Sequence, residues 1–493
     1  MTCIAFRGQT GVWLNSGPPD FETMALGDFR EVKDGCKAMA FSADGNLFAF
    51  GDDRKVSVID MHTSATIMEA ENTYAHGLKF SSRGNILAVW ESLAGAPNLH
   101  FYNVATKKRI SSIVQKRQNL WSPQWSADEQ LAAVRVGTEI HFFENGRYEQ
   151  VAKKFVVLKV VDFLLPQKAA APYRIAINVA GARGQLPHVR IFEYPKFGNM
   201  LMTQSFTWAD KVEMKWNNAG TALLVLTAIK EGETHVYLMN LSRASTEVNV
   251  STDGPVYCVE WSPNSEEFCV LYGYMPTSAT LYNMQCEPIF DFGTGPRHFI
   301  YFNPQGSILC FVGFGNLHGS MEVWNMHSKQ VISRLRDSDV THFEWCPDGV
   351  HMITSKLSPQ IKVSNGFKVW HCGTGKMMHQ WCPGHDTEVW RVSWQSASAD
   401  IFPDPIGKPL PAPTQFQTKT RNDSRVTPDT TCSGDTVTDE HERLKKVRNL
   451  KKKLQQIEKL KQQQAAGKTL ELNQREKLSR EEEVLDELAQ LQL

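Results

Sequence analysis

An all-β, nine-bladed β-propeller of the WD-repeat-like kind is the fold class this sequence predicts, and three observations carry that prediction. Nine aromatic residues, each ending a short apolar run, recur at intervals of 38 to 53 residues: Phe41, Phe80, Trp125, Phe163, Trp216, Trp261, Phe302, Trp345 and Trp394. Most are followed by a similar polar turn: FSADG from Phe41, FSSRG from Phe80, WSADE from Trp125, WNNAG from Trp216, WSPNS from Trp261, FNPQG from Phe302 and WCPDG from Trp345. A second repeated signature follows each of these by one strand, as in KVSVIDMHT, NLHFYNVAT, EIHFFENG, VRIFEYP, HVYLMNLS, MEVWNMHS and FKVWHCGTG. A period near ~40 residues built from short strands is the mark of propeller blades.

The unit 298–335 shows why each strand forms. Alternating residues lead to Phe302, a turn follows at Asn303–Gly306, and Ile308 to Val312 is a continuous apolar run suited to a strand buried on both faces. Gly313 to Gly319 makes a loop, Met321 to Asn325 alternates again, and Gln330 to Leu335 closes the unit as a more polar outer strand. Because each blade hides both faces against its neighbours, the recurrent aromatic reads as a wedge between blades rather than a ligand contact. The ninth anchor, Trp394, lacks following strands of its own, whereas Ile4 to Leu14 offers strand material before the first anchor. The N-terminal strands are therefore expected to complete the blade begun at Val389 to Trp394 and close the ring.

The domain organisation follows from composition: a propeller over 1–395, a flexible linker over 396–438 and a charged helical tail over 439–493. The linker carries Pro403, Pro405, Pro409, Pro411, Pro413 and Pro428 among Ser, Thr, Gln and Asp. In the tail, Leu444, Val447, Leu450, Leu454, Ile457 and Leu460 fall at helical spacing, as do Leu470, Leu478, Leu485, Leu488 and Leu491, with two helices split near Gly467.

Across the 493 residues, Lys plus Arg and Asp plus Glu balance at 53 each, so global charge selects no partner class. Ten cysteines without framework spacing, no signal-like start and no long apolar run point to a soluble cytoplasmic protein with no membrane partner.

The charge is locally segregated. The first tail helix carries Arg443, Lys445, Lys446, Arg448, Lys451, Lys452, Lys453, Lys459 and Lys461, and the second ends in Glu481, Glu482, Glu483, Asp486 and Glu487. A solvated helix would mix signs, so the basic stripe is the candidate RNA- and ribosome-binding element. An exposed hairpin whose charged ends pair with each other is the plainer alternative. No catalytic, cofactor-binding or metal site is expected. AGKT (Ala466 to Thr469) lacks the upstream glycine and strand of a phosphate loop, GTGK (Gly373 to Lys376) lacks the metal-binding hydroxyl, and GFGNLHG lacks dinucleotide spacing. His379, Cys382, His385 and Cys372 contain no recognised zinc-ligand pair.

Several strings carry a resemblance. NSGPP, GAPNLHFYNV, EIHFFEN, FDFGTGPR, GFGNLHGSMEVWN, WCPDG, NGFKVWH and WRVSWQ occur in the same order as in the eukaryotic translation initiation factor 2A family, which the chain resembles over nearly its whole length, tail included. The resemblance implies a monomeric, non-catalytic factor without cofactors that binds the small (40S) ribosomal subunit. It would direct initiator methionyl-tRNA there in a GTP-independent, codon-dependent manner for selected messages. Messenger RNA and other initiation factors, met through the tail, are the further partners it implies. The family's linker is typically longer and Lys-rich, whereas 396–435 here is short with few basic residues, which leaves the helix from Arg443 to Lys461 as the better RNA candidate. The alternative function is a protein-interaction scaffold whose tail pairs with a partner helix, Val447, Leu450, Leu454 and Ile457 forming the seam.

Overall fold

The computed structural model describes residues 2–407 apart from 25–35, 53, 93–95, 117–120, 183, 208, 230–231, 251–253, 362–364, 384–386 and 399–400. Eight antiparallel four-stranded sheets succeed one another over 38–71, 75–113, 124–156, 160–205, 211–247, 256–295, 299–336 and 342–381. A ninth sheet joins Val389–Trp394 to Cys3–Gly8 and Gly11–Ser16. These are blades 1 to 9. In blade 7 the second strand, Ile308–Gly313, is buried at every position, while the fourth, Gln330–Arg336, is mostly half-exposed. That gradient from hidden second strand to wetted outer strand is the one the hydropathy pattern predicts.

Successive side chains of a strand point to opposite faces, and several first strands use this to bond to a neighbouring first strand. The anchor aromatic reaches back. Trp216 Nε1 donates to the Leu164 carbonyl at 3.0 Å, Trp261 Nε1 to the Lys215 carbonyl at 2.8 Å, and Trp345 Nε1 to the Tyr301 carbonyl at 3.1 Å. The residue before the anchor reaches forward. Lys79 Nζ donates to the Pro123 carbonyl at 2.9 Å, Gln124 Nε2 to the Phe163 carbonyl at 2.8 Å, and Lys215 Nζ to the Val259 carbonyl at 3.0 Å. The anchors are thus wedges, as expected, and in Trp216, Trp261 and Trp345 the indole N–H also fastens adjacent first strands.

The polar turn after each anchor has an equally local cause. The side chain following the anchor accepts the backbone N–H five residues on: Leu47 N to Ser42 Oγ at 2.9 Å, Ile86 N to Ser81 Oγ at 2.9 Å, and Leu131 N to Ser126 Oγ at 3.1 Å. Asn fills the role in blades 5 and 7, with Ala222 N on Asn217 Oδ1 at 3.1 Å and Ile308 N on Asn303 Oδ1 at 2.9 Å. A short polar side chain is needed because it must fold back on its own turn.

The ring closes as the N-terminal strand material predicts. Ile4 pairs with Trp394 and Phe6 with Val392. Ile4 and Phe6 enter a core with Ile353, Phe367 and Val369 of blade 8, while Cys3 and Ala5, on the other face, enter one with Met39 and Phe48 of blade 1. Gln395 locks the junction: its N–H donates to the Cys3 carbonyl at 2.8 Å, its Oε1 accepts from Cys3 N at 3.0 Å, and its Nε2 reaches the Gly45 carbonyl of blade 1 at 2.8 Å. The fourth-strand position is met by a short return of chain, where Asn15 bridges Thr23 and Met24 N donates to the Leu14 carbonyl at 2.8 Å.

Gly45 has a left-handed φ of +76°, and a Cβ there would lie 2.0 Å from the Ser396 carbonyl oxygen. Gly45→Ala is expected to cost roughly 1–3 kcal/mol, read as a lower urea midpoint, because both the backbone and its neighbour must give. Beyond Gln395 the chain stays on the ring for a stretch. Ile406 packs against the core shared by blades 7 and 8, and Asp404 lies 3.7 Å from His327.

Candidate functional site

The first strands surround a central channel. At the end where the anchor turns lie, a cavity of about 1150 Å³ is walled by residues of blades 1 to 4 and 7 to 9. It continues into a second space of about 790 Å³ that shares Gln167, Lys168, Pro304 and Trp345 with it. The charged groups of the second space are Lys168, Lys215, Glu260 and Glu344, equal in number by sign. Burial opposes the Lys215 charge, but the adjoining Glu260 and Glu213 carboxylates outweigh it and hold the ammonium above its ordinary value. The first space is different: besides the shared Lys168, Lys79 and Arg391 line it against the single carboxylate of Asp44. Asp44 is already taken up by its own turn, accepting from Ser42 Oγ at 2.5 Å and Asn46 N at 3.1 Å.

The opposite face holds a packed corner at blade 7, where two of the strings that carry the family resemblance meet. Arg297, at the end of GTGPR, is 3% exposed in its side chain and lies over the Phe311 ring at 4.3 Å. Its guanidinium donates to the Gly293 carbonyl at 2.9 Å and the Phe292 carbonyl at 3.2 Å, and pairs closely with Glu322. A Cβ on Gly313, the first residue of GFGNLHG, would stand 2.3 Å from the Pro296 carbonyl, so only glycine lets the two strings touch. Beside this corner Phe299, Tyr257, Tyr274 and Met275 are exposed, and Phe299 contacts Phe314 at a ring separation of 5.3 Å.

The nine basic tail residues from Arg443 to Lys461, the split near Gly467 and AGKT lie outside the described residues. The other two glycine strings are hairpin connections. GTGK is the turn between Gly366–His371 and Met377–Trp381, and GFGNLHG holds one short 3-10 turn, Gly315–Leu317. His379 stacks on Phe21 at 4.8 Å. Among the described residues no group of three or more His, Cys, Asp or Glu is set to hold a metal ion, and no helix is long and apolar enough to cross a membrane. The channel cations were missed by motif reading because they belong to no local string. Lys79 could have been found by aligning the residue before each anchor, which is Ala40, Lys79, Gln124, Asp162, Lys215, Glu260, Tyr301, Glu344 and Ser393.

A ring with two differentiated faces and a charged channel defines a propeller platform, a fold class that hosts many functions. The family described as Eukaryotic translation initiation factor eIF2A matches residues 204–385. Eukaryotic translation initiation factor 2A of Drosophila melanogaster is 35% identical over 403 residues, covering 76% of this chain and 63% of the relative. The protein of the same name from Caenorhabditis elegans is 29% identical over 563 residues, covering 99% of this chain and 98% of the relative. A solved structure described as the crystal structure of the eukaryotic initiation factor is 28% identical with a TM-score of 0.72, covering 80% of this chain and 99% of that one. Over most of its length the chain is similar to the eukaryotic translation initiation factor 2A family.

Proposed function

We propose that this chain is a non-catalytic initiation factor that binds the small (40S) ribosomal subunit and directs initiator methionyl-tRNA to it. Delivery proceeds without GTP, depends on the codon and serves selected messages. Likeness to the eukaryotic translation initiation factor 2A family is the observation that carries this reading, with the segregated charge of the tail as its physical support. In this proposal the propeller over 1–395 is the platform, 396–438 the linker and 439–493 a tail of two helices. The stripe Arg443, Lys445, Lys446, Arg448, Lys451, Lys452, Lys453, Lys459 and Lys461 engages ribosomal RNA by neutralising phosphates and releasing counterions. The protein works in the cytoplasm as a monomer.

Replacing Lys445, Lys446, Lys451, Lys452 and Lys453 together by Glu is expected to weaken co-sedimentation with 40S subunits at least ten-fold. The salt dependence should flatten by roughly one log–log unit for each phosphate that is no longer neutralised. Co-sedimentation that is unchanged in both amount and salt dependence would refute the assignment of the stripe.

A further inference from the structure

We infer that the channel mouth on the anchor-turn side is a binding site for a compact ligand carrying two or more phosphate groups, held by Lys79, Lys168 and Arg391. The inference is independent of the ribosome-binding reading, which rests on the family likeness and the charge of the tail. Three arguments support it, each from a different residue.

Lys79 is a half-buried cation whose partners are neutral. Its Nζ donates to Ser122 Oγ at 3.1 Å and the Pro123 carbonyl at 2.9 Å, and lies 5.7 Å from the Trp125 ring centre. Withdrawal from water pushes its ammonium down to about 8, and no opposing charge restores it. A charge that burdens the fold in this way is a site candidate.

Arg391 adds a second unbalanced charge. The register of the closing blade sets it directly opposite Arg7, although like charges facing each other across a strand pair repel. Arg7 shows the strain. Burial lowers its guanidinium below the ordinary value, the Cys36 thiol beside it counteracts, and Arg391 lowers it further. An anion in the channel mouth would relieve this repulsion.

Lys168 supplies the third cation from the connection after Leu164, so the three charges come from blades 2, 4 and 9, around the mouth. Ser81, Ser82, Ser396 and Ser398 line the same space and offer hydroxyl donors, while Ser393 Oγ donates to Glu344 at 3.2 Å. At about 1150 Å³ the cavity far exceeds a single phosphate and lies slightly above the usual range for small-molecule sites. A single phosphate leaves most of this space empty, whereas a ligand with several phosphate groups offers a charge to each of the three cations.

The test is calorimetry and thermal unfolding with inositol hexakisphosphate and inorganic pyrophosphate on the full chain carrying the five tail Lys→Glu changes, so that the tail cannot supply the binding. One-to-one binding of inositol hexakisphosphate with a raised melting temperature is expected, and Arg391→Gln and Lys79→Met should each weaken it ten-fold or more. Arg391 is exposed, so Arg391→Gln reports on the site even where Lys79→Met changes stability. Binding should take up protons near pH 8 and weaken above it, because bound anion favours the Lys79 ammonium. Lys168, Arg391 and Asp44 are the other charged residues lining the cavity, and Glu344 adjoins it through Ser393 Oγ at 3.2 Å. Binding that survives both substitutions, or no binding in this background, overturns the proposal. So does a single-stranded oligouridylate that binds through Lys79 and Arg391 where inositol hexakisphosphate does not, since the ligand would then be an RNA strand.

Discussion

Deleting residues 2–16 is expected to open the ring and abolish its cooperative unfolding. The deletion removes two of the three strands of blade 9 and leaves Val389–Trp394 as an unpaired strand between blades 8 and 1. Ile4 and Phe6 are fully buried, as are Val12 and Leu14. Truncating even one such side chain, as in Phe6→Ala, costs about 3–5 kcal/mol, against a typical total stability of roughly 5–15 kcal/mol. Losing all of them together with the hydrogen-bonded ladder exceeds what one domain holds in reserve. The expected result is a broadened urea transition and rapid proteolysis at the newly exposed edges, partly reversed by a synthetic peptide of residues 2–24 added in trans. A deletion variant with an unchanged midpoint and slope would show that blades 1 to 8 close without the N-terminus.

Much of this architecture was legible because propeller blades are written locally. The wedge aromatics and the hidden second strands recur once per blade, and the turn side chains bond within five residues, so Phe41 and FSADG already imply Ser42 and Leu47 bonding across a turn. Ring closure was legible too, since Trp394 stands without its remaining strands. The channel charges were not, because Lys79, Lys168 and Arg391 converge only after nine units have closed a circle. Departures from the turn pattern were explained only by the backbone. Where glycine is missing from the turns of blades 3 and 6, Glu129 and Ser265 take φ of 57° and 65°. Their side chains compensate by tying blades together: Glu129 accepts from Asn85 Nδ2 at 2.8 Å and Ser265 Oγ from Ala219 N at 3.1 Å. The tail stripe remains a matter of sequence, because Arg443 to Lys461 lie outside the described residues.

The strings GTGPR and GFGNLHG mark the family by resemblance, but their physical role is the buried corner around Arg297. Glu322→Ala is expected to destabilise the protein by about 3–5 kcal/mol, because it strands the Arg297 guanidinium without its counter-charge. Arg334, from the outer strand, also donates to Glu322, at 2.7 Å and 2.9 Å, but is itself well exposed and can return to water. Burial alone would raise the Glu322 carboxyl, but the Arg297 charge and the hydrogen bonds from Arg297 and Arg334 outweigh it and leave it below its ordinary value. The sign of the pH dependence follows. A carboxyl that is more acidic folded than unfolded adds stability above the ordinary Glu value of 4.5, and loses it as pH falls through the lower folded value. Glu322→Gln should therefore flatten the acid limb of stability while keeping the side-chain volume, which separates charge from packing. Arg297→Met combined with Glu322→Leu should recover much of the loss, since apolar pairs of similar volume often replace buried ion pairs without penalty. A double variant no more stable than Glu322→Ala would mean that the corner depends on the geometry of the guanidinium, through the Gly293 and Phe292 carbonyls, rather than on charge balance.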